Sequence, residues 1–221
     1  MKNLPRIFIN EQIEAGKSYL LTAAQSHYLT KVMRVGRCLI FNNGLEFSAE
    51  LAGDSKYLVA GAQTGRRDPS NDMTFCFAPV KKIDEMLNMA TQMGVGRMQP
   101  VITERTVARH ANWGRIEKII IEASEQSGRN SIPELAAPII MDSWIKKQRE
   151  KIVFADERLA HCDSHSANLP FRPSVLLIGP EGGFSPAEFA ALDNAGAVGI
   201  SLGKTILRAE TAAVAALAKI L

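Results

Sequence analysis

The segment SVLLIGPEGGFSPAE, residues 174–188, carries more structural information than any other part of the chain. Val175-Leu176-Leu177-Ile178 is apolar throughout, with no alternation of polar residues. Such a run reads as a parallel strand buried on both faces. It stops at Gly179-Pro180-Glu181-Gly182-Gly183, a turn with three glycines and little room for side chains. Ser185-Pro186-Ala187-Glu188 then opens a helix, with serine as N-cap, proline at the first helical position and glutamate three residues after the cap. Strand, glycine loop and helix in this order hold a ligand against bare backbone at the carboxyl end of a sheet. The loop carries a carboxylate and no lysine. That composition suits a neutral or cationic small molecule better than a phosphate, which needs N–H groups and positive charge.

The same grammar recurs downstream. Residues 197–202 read as a short apolar strand, Gly203-Lys204-Thr205-Ile206-Leu207-Arg208 as a loop, and residues 209–221 as a helix rich in alanine. Alanine is the strongest helix former, and small side chains also let a helix lie close to another backbone. Two adjacent units of this kind put two loops on one rim, enough for a nucleoside-sized ligand.

Upstream, strands and helices alternate from residue 73. Strands are expected over 74–79, 98–103, within 134–141 and over 152–155, and helices over 81–93, 113–127 and 143–149. This pattern implies an α/β domain with a parallel sheet covered on both faces. Residues 1–68 differ. They show short β segments at 6–9, 18–21, 38–41, 45–51 and 57–60, a helical turn or two over 23–33, and an Asn43-Gly44 hairpin signal. A small barrel is expected there, followed by a polar, turn-rich linker over 65–72.

With 221 residues, 46% hydrophobic and 22% charged, the composition is that of a globular protein. No apolar run reaches membrane-spanning length, and the opening MKNLPRIFIN is not a signal peptide. Cys38, Cys76 and Cys162 share no close spacing. Reduced thiols in a cytoplasmic protein are the plain reading. The net charge of +3 is unevenly spread: residues 1–70 hold nine Lys/Arg against six Asp/Glu, 71–151 twelve against ten, and 152–221 five against seven. A polyanion held by the earlier part and a small ligand by the later part fits that split, as does a solvated surface slightly rich in lysine.

Several motifs together resemble one family. They are Lys81-Lys82 through Met93-Gly94-Val95, Gln99-Pro100-Val101-Ile102-Thr103-Glu104-Arg105, Glu122-Ala123-Ser124-Glu125-Gln126-Ser127-Gly128-Arg129 with Pro133, Gly179 to Phe184, and Leu202-Gly203 with Ile206-Leu207-Arg208-Ala209-Glu210-Thr211-Ala212. In this order and spacing they resemble the bacterial ribosomal RNA small-subunit methyltransferase E family. That family belongs to the SPOUT class of S-adenosylmethionine (SAM)-dependent RNA methyltransferases. Pro5-Arg6-Ile7-Phe8, His27-Tyr28-Leu29 and Val32-Met33-Arg34 resemble its small PUA-like barrel. The match covers nearly the whole chain.

The resemblance implies a PUA-like RNA-binding barrel over 1–68 and, over 73–221, a parallel-sheet domain with a deep trefoil knot. It implies a homodimer that methylates N3 of one uridine in 16S ribosomal RNA within the small ribosomal subunit. Two departures stand out. The stretch Arg34-Val35-Gly36-Arg37-Cys38 is short, which trims the barrel, and Gln92-Met93-Gly94-Val95 stands where the family often has Glu-Leu-Gly-Val.

The expected cofactor contacts are Leu177, Gly179, Pro180, Glu181, Gly182, Gly183, Leu202, Gly203, Ile206, Leu207 and Arg208, with Phe154 and Ala155 as a third wall. Glu181 could stabilise the sulfonium or bond a ribose hydroxyl, or stand in solvent. Arg208 could serve the site or pair with Glu210 or Glu181. Uridine N3 holds its proton near neutral pH, so a base or an anion-stabilising group is needed. Arg129 and Arg208 are the candidates to stabilise the anion and Glu125 the candidate base. Glu122, Glu125 and Arg129 also have the spacing of an ordinary helical surface network. Arg6, Arg34, Arg66, Arg67, Lys81, Lys82 and Arg105 are the candidate phosphate contacts.

No metal is expected. His161-Cys162-Asp163-Ser164-His165 has residue types that bind zinc but forms a lone cluster, and His27 and His110 read as structural or surface residues. Two other functions compete. A nucleotide-dependent enzyme is disfavoured because Gly179, Glu181 and Phe184 occupy the places where G-x-G-x-x-G needs three glycines. A non-catalytic RNA-binding or ribosome-assembly factor would keep the glycine loops as remnants, which the intact Leu202 to Thr211 stretch argues against.

Overall fold

A computed structural model of the chain describes residues 4–69, 72–108, 111–160, 169 and 171–221. His110 and the cluster from His161 to His165 lie outside the described residues. The chain divides into two compact units. The first comprises residues up to 69 together with Ile121–Ile132, and the second comprises the remaining described residues.

The first unit is built on a five-stranded sheet: β1 (Arg6–Phe8), β2 (Ser18–Leu20), β3 (Arg37–Asn42), β4 (Leu45–Ala52) and β5 (Tyr57–Arg67). The order is β1-β3-β4-β5-β2. Only β1 and β3 run parallel. The β3–β4 connection is the two-residue turn that Asn-Gly favours, with Asn43 at φ 49° and Gly44 at φ 77°. Between β2 and β3, Thr22 caps helix α1 (Ala23–His27) with a capping box, and the chain continues as one wide π-helical stretch, Tyr28–Met33.

The register shifts along β4 and β5 mark β-bulges. Gly65-Arg66-Arg67, expected in the linker, is instead strand: Leu45 pairs with Arg67, so β5 carries on past the bulges. Ile7, Tyr19, Leu29, Cys38, Ile40 and Leu58 form the core of this unit, each 1% exposed or less. Full burial of side chains of this size contributes about 1.5–3 kcal/mol each.

The segment Ile121–Ile132 is stitched to this sheet by polar contacts. Arg6 Nη2 donates to Arg129 O and to Asn130 Oδ1, each at 2.6 Å. Phe8 N donates to Glu125 Oε1 at 3.0 Å. Asn130 N reaches both oxygens of Asp68, at 2.9 and 2.8 Å. Helix α3 (Trp113–Ser127) therefore begins in the second unit and ends in the first.

The second unit is a parallel sheet of β6 (Thr74–Phe77), β7 (Arg97–Ile102), β8 (Glu134–Leu135), β9 (Ile139–Ile140), β10 (Ile152–Ala155), β11 (Val175–Ile178) and β12 (Val198–Ile200), in the order β12-β10-β11-β6-β7-β8, with β9 also on β7. Its helices besides α3 are α2 (Ile83–Gln92), α4 (Met141–Lys147), α5 (Pro186–Asn194) and α6 (Ala209–Ile220). All four β11 side chains are buried, as the unbroken apolar run demands. Helix α2 buries Ile83, Met86, Leu87 and Ala90 on one face, and Gly94, at φ 93°, ends it. Ser185 and Glu188 make the expected capping box on α5, with Pro186 as its first residue. Helix α6 packs on α2 and β11, burying Ala209, Ala212, Ala213, Ala216 and Leu217.

Candidate functional site

In this sheet β12, β10, β11 and β6 are neighbours, and the loops leaving their carboxyl ends surround one cavity of about 490 Å³. Ligand pockets commonly measure about 300–1,000 Å³. In an open parallel sheet this edge is where ligands bind.

The β11 loop supplies the floor. Gly179, Pro180, Glu181, Gly183 and Phe184 line the cavity. A Cβ on Gly179 would stand 3.0 Å from the Phe184 ring, so glycine is what lets the loop fold over that ring. Phe184 makes edge-on contacts with Phe154 and Phe189 at 6.1 and 5.5 Å, which fixes it in the core. Gly183 sits at φ 68°, and a Cβ there would overlap the Glu157 carboxylate. Arg105 Nη1 donates to Gly182 O at 2.8 Å. Glu188 Oε1 accepts from Glu104 N at 2.7 Å, tying the start of α5 to the loop after β7.

The loop after β12 supplies the opposite wall with Leu202, Gly203, Ile206, Leu207 and Arg208. Ser201 O accepts from Lys219 Nζ at 2.9 Å, anchoring this loop to α6. Arg208 is the N-cap residue of α6 and is exposed, as is Ile206 at 71%. From the end of β10 comes Ala155, from the turn after it come Asp156 and Glu157, and from the loop after β6 come Lys81 and Lys82.

Ten of the thirteen expected cofactor residues therefore line one cavity. Phe154 and Leu177 do not; they are fully buried in the sheet beneath it. Gly182 is exposed and is not among the lining residues. The sequence reading missed Asp156, Glu157 and Glu210, because isolated carboxylates carry no spacing signal. It placed Lys81 and Lys82 with the phosphate contacts, whereas they stand at the cavity.

The remaining candidates fall elsewhere. Glu125 and Arg129 belong to the first unit. Burial pushes the Glu125 carboxyl up to about 7, and a hydrogen bond from Phe8 opposes that rise only in part. Burial also lowers Arg129. Arg6 is not a surface cation. Its side chain is 9% exposed, paired with the buried Glu46 and stacked 4.7 Å from the Phe41 ring centroid, so the expected phosphate contact at Arg6 gives way to a structural role. Burial, with the Arg66 charge nearby, lowers Arg6 to about 10. Arg34, Arg66, Arg67 and Arg105 are exposed.

Cys38 and Cys76 are free and buried, and burial raises both thiols, Cys38 to about 12. Among the described residues no three His, Cys, Asp or Glu side chains group to hold a metal ion. No helix among them is long and apolar enough to cross a membrane.

Residues 67–221 match the family model described as an RNA methyltransferase domain. The chain is 33% identical to the ribosomal RNA small subunit methyltransferase E of Rickettsia conorii, over 97% of this chain and 94% of the relative. It is 30% identical to the protein of the same name from Synechocystis, over 90% of this chain and 71% of the relative. Among solved structures, a ribosomal RNA small subunit methyltransferase E from Neisseria gonorrhoeae bound to S-adenosyl methionine aligns with a TM-score of 0.83 at 28% identity, covering 98% of this chain and 96% of that one. A putative methyltransferase from Legionella pneumophila, in complex with bound SAM, gives a TM-score of 0.83 at 25% identity, covering 100% and 97%.

Proposed function

The chain belongs to the RNA methyltransferase domain family, and on that premise we propose that it is a SAM-dependent ribosomal RNA methyltransferase acting on N3 of a uridine in 16S RNA of the small subunit. The observation that carries the SAM assignment is the cavity itself. Two glycine-bearing loops, leaving β11 and β12 on either side of β10, enclose a nucleoside-sized space.

The residues present fit the donor. Glycine at 179 and 183 leaves room for the Phe184 ring and the Glu157 carboxylate, and main-chain groups of this loop, which lines the cavity, can read an adenine edge. Leu202, Ile206 and Leu207 offer apolar surface to a methionine stem. Carboxylates at the cavity suit a cationic sulfonium.

When bound, SAM supplies a methyl carbon on positively charged sulfur; transfer to N3 leaves a neutral thioether, and the N3 proton must depart. Glu125 is the proposed acceptor of that proton, since a carboxyl raised to about 7 is poised near neutral pH. Arg208 and Arg129 are the proposed partners of the negative charge that builds on the uracil oxygens. Arg34, Arg66, Arg67, Lys81, Lys82 and Arg105 are the proposed phosphate contacts, with Arg105 and the two lysines serving the substrate near the cavity.

The family resemblance supports four further elements of the reading: a PUA-like RNA-binding barrel over 1–68, a trefoil-knotted SPOUT domain over 73–221, a homodimer and a cytoplasmic location. The small side chains along α6 favour a knot, because a threaded helix must lie close to the backbone around it.

Mass spectrometry of ribosomal RNA nucleosides from cells lacking the protein tests the function. Loss of 3-methyluridine is the expected result. An unchanged nucleoside profile in those cells, with RNA binding by the purified wild-type protein, would favour an assembly factor instead.

A further inference from the structure

Four carboxylates line the cavity: Asp156, Glu157, Glu181 and Glu210. Three of them have partners within the protein. Asp156 takes hydrogen bonds from Arg158 through its backbone N, Nε and Nη2, at 2.7–3.2 Å. Glu181 Oε1 accepts from Lys81 N at 2.8 Å. Glu210 Oε1 lies 4.0 Å from Lys82 Nζ. Among the described residues Glu157 is the cavity carboxylate with no hydrogen-bond or ion-pair partner.

Its placement is tightly defined. The Glu157 carboxylate lies against the Cα of Gly183, where only a residue without a Cβ leaves it room. Its backbone forms the short 3-10 turn Glu157–Leu159, capped by Asp156. Arg158, next in the chain, bridges Asp156 to Asp193 on α5, with bonds of 3.0 Å to each Asp193 oxygen. Its guanidinium also stacks 4.1 Å from the Phe189 ring centroid. The turn that presents Glu157 is thus clamped to α5, and among the described residues no donor fills the two oxygens of its carboxylate.

We infer, resting on the proposed function, that Glu157 is the residue that recognises the ribose of the nucleoside ligand, accepting hydrogen bonds from its 2′- and 3′-hydroxyls. A vicinal diol offers two donors to two oxygens. A sulfonium offers charge but no N–H or O–H, and would leave both oxygens without a directional partner. An acidic side chain near a glycine-rich loop is also how dinucleotide-binding sheets hold a ribose 2′-hydroxyl. Of the roles the sequence left open for Glu181, the ribose contact thereby passes to Glu157, because Glu181 Oε1 already holds the Lys81 loop.

The test is calorimetric titration of SAM, S-adenosylhomocysteine and 2′-deoxy-S-adenosylhomocysteine into wild type, Glu157→Ala and Glu157→Gln. Glu157 is exposed, and an unchanged melting midpoint of the ligand-free variants establishes that they fold. Glu157→Ala is expected to weaken SAM and S-adenosylhomocysteine by the same factor, about tenfold or more, the scale of hydrogen bonds to a charged group, with Glu157→Gln intermediate. The 2′-deoxy ligand should bind wild type about tenfold more weakly than its parent, and that gap should close in Glu157→Ala, because the two deletions remove one interaction. Weakening of SAM alone would overturn the inference in favour of charge recognition. Unchanged affinities, or a deoxy penalty that persists without Glu157, would also overturn it. Failure of the wild-type protein to bind either parent ligand would instead sink the proposed function.

Discussion

The carboxylate of Glu181 accepts the backbone N–H of Lys81 at 2.8 Å across a separation of 100 residues. Their loops leave adjacent strands, β11 and β6, so this one bond joins two walls of the cavity. Glu181→Ala frees the Lys81 loop. SAM affinity is expected to fall about tenfold, while folding stability changes by no more than about 1 kcal/mol, because the bond is solvent-exposed. Titration calorimetry and urea unfolding of the same variant check both halves.

Gly183 sits at φ 68° with the Glu157 carboxylate filling the space of a side chain. Gly183→Ala imposes a left-handed conformation costing about 1–2 kcal/mol and displaces Glu157. The variant is expected to melt earlier and to lose SAM binding more severely than Glu157→Ala does. Equal melting and equal affinity to wild type would show that the loop conformation is unimportant.

Glu125 links pH to stability. Burial lifts its carboxyl from 4.5 to about 7, against the opposing bond from Phe8 and the charge of Arg6, with Glu122 adding to the rise. The folded protein therefore keeps a proton that the unfolded chain has released. The resulting stabilisation is fully present below about pH 4.5 and is lost as pH rises through about 7. Glu125→Gln should flatten this dependence and be the more stable protein at about pH 8, as urea unfolding across that range would reveal. If Glu125 is also the base, the same variant loses methyl transfer and the acidic limb of its pH–rate profile. An unchanged rate and profile would remove it from the mechanism.

Arg66 and Arg67 are exposed at the end of β5. Reversing both charges should weaken binding to a 16S RNA fragment. The slope of log affinity against log salt should fall by about 0.7–0.9 for each phosphate that is no longer neutralised. Filter binding at several salt concentrations measures that slope, and an unaltered slope would exclude the pair from the interface.

Ala213 and Ala216 on α6 have no exposed surface. Ala213→Leu has no space to fill and is expected to destabilise by about 1–3 kcal/mol, whereas Ala218→Leu, on the exposed face, should be nearly neutral. Chemical denaturation separates the two.

Much of the second unit is legible from local pattern alone. The unbroken apolar run at 175–178, closed by a glycine turn, reads as a doubly buried strand, and Ser185 and Glu188 specify the start of α5 by their own hydrogen-bonding geometry, with Pro186 preset for its first turn. Most of the cavity wall follows, because glycine loops at strand ends announce themselves in sequence. What stays hidden depends on long-range contacts. Arg6 looks like a surface cation until Glu46, Arg129 and Asn130 are brought to it from distant segments. Arg66 and Arg67 look like linker until bulges let β5 run on beside β4. Glu157 is an ordinary glutamate in sequence, distinguished only by the empty Cα of Gly183 beside it.

Diffraction from crystals of the wild-type protein grown with SAM is the decisive measurement for the site. Density for the whole donor is expected between the Gly179–Gly183 loop and Leu202 to Arg208, with its ribose beside Glu157. A cavity without that density, in crystals that hold the donor at another surface, would contradict the assignment.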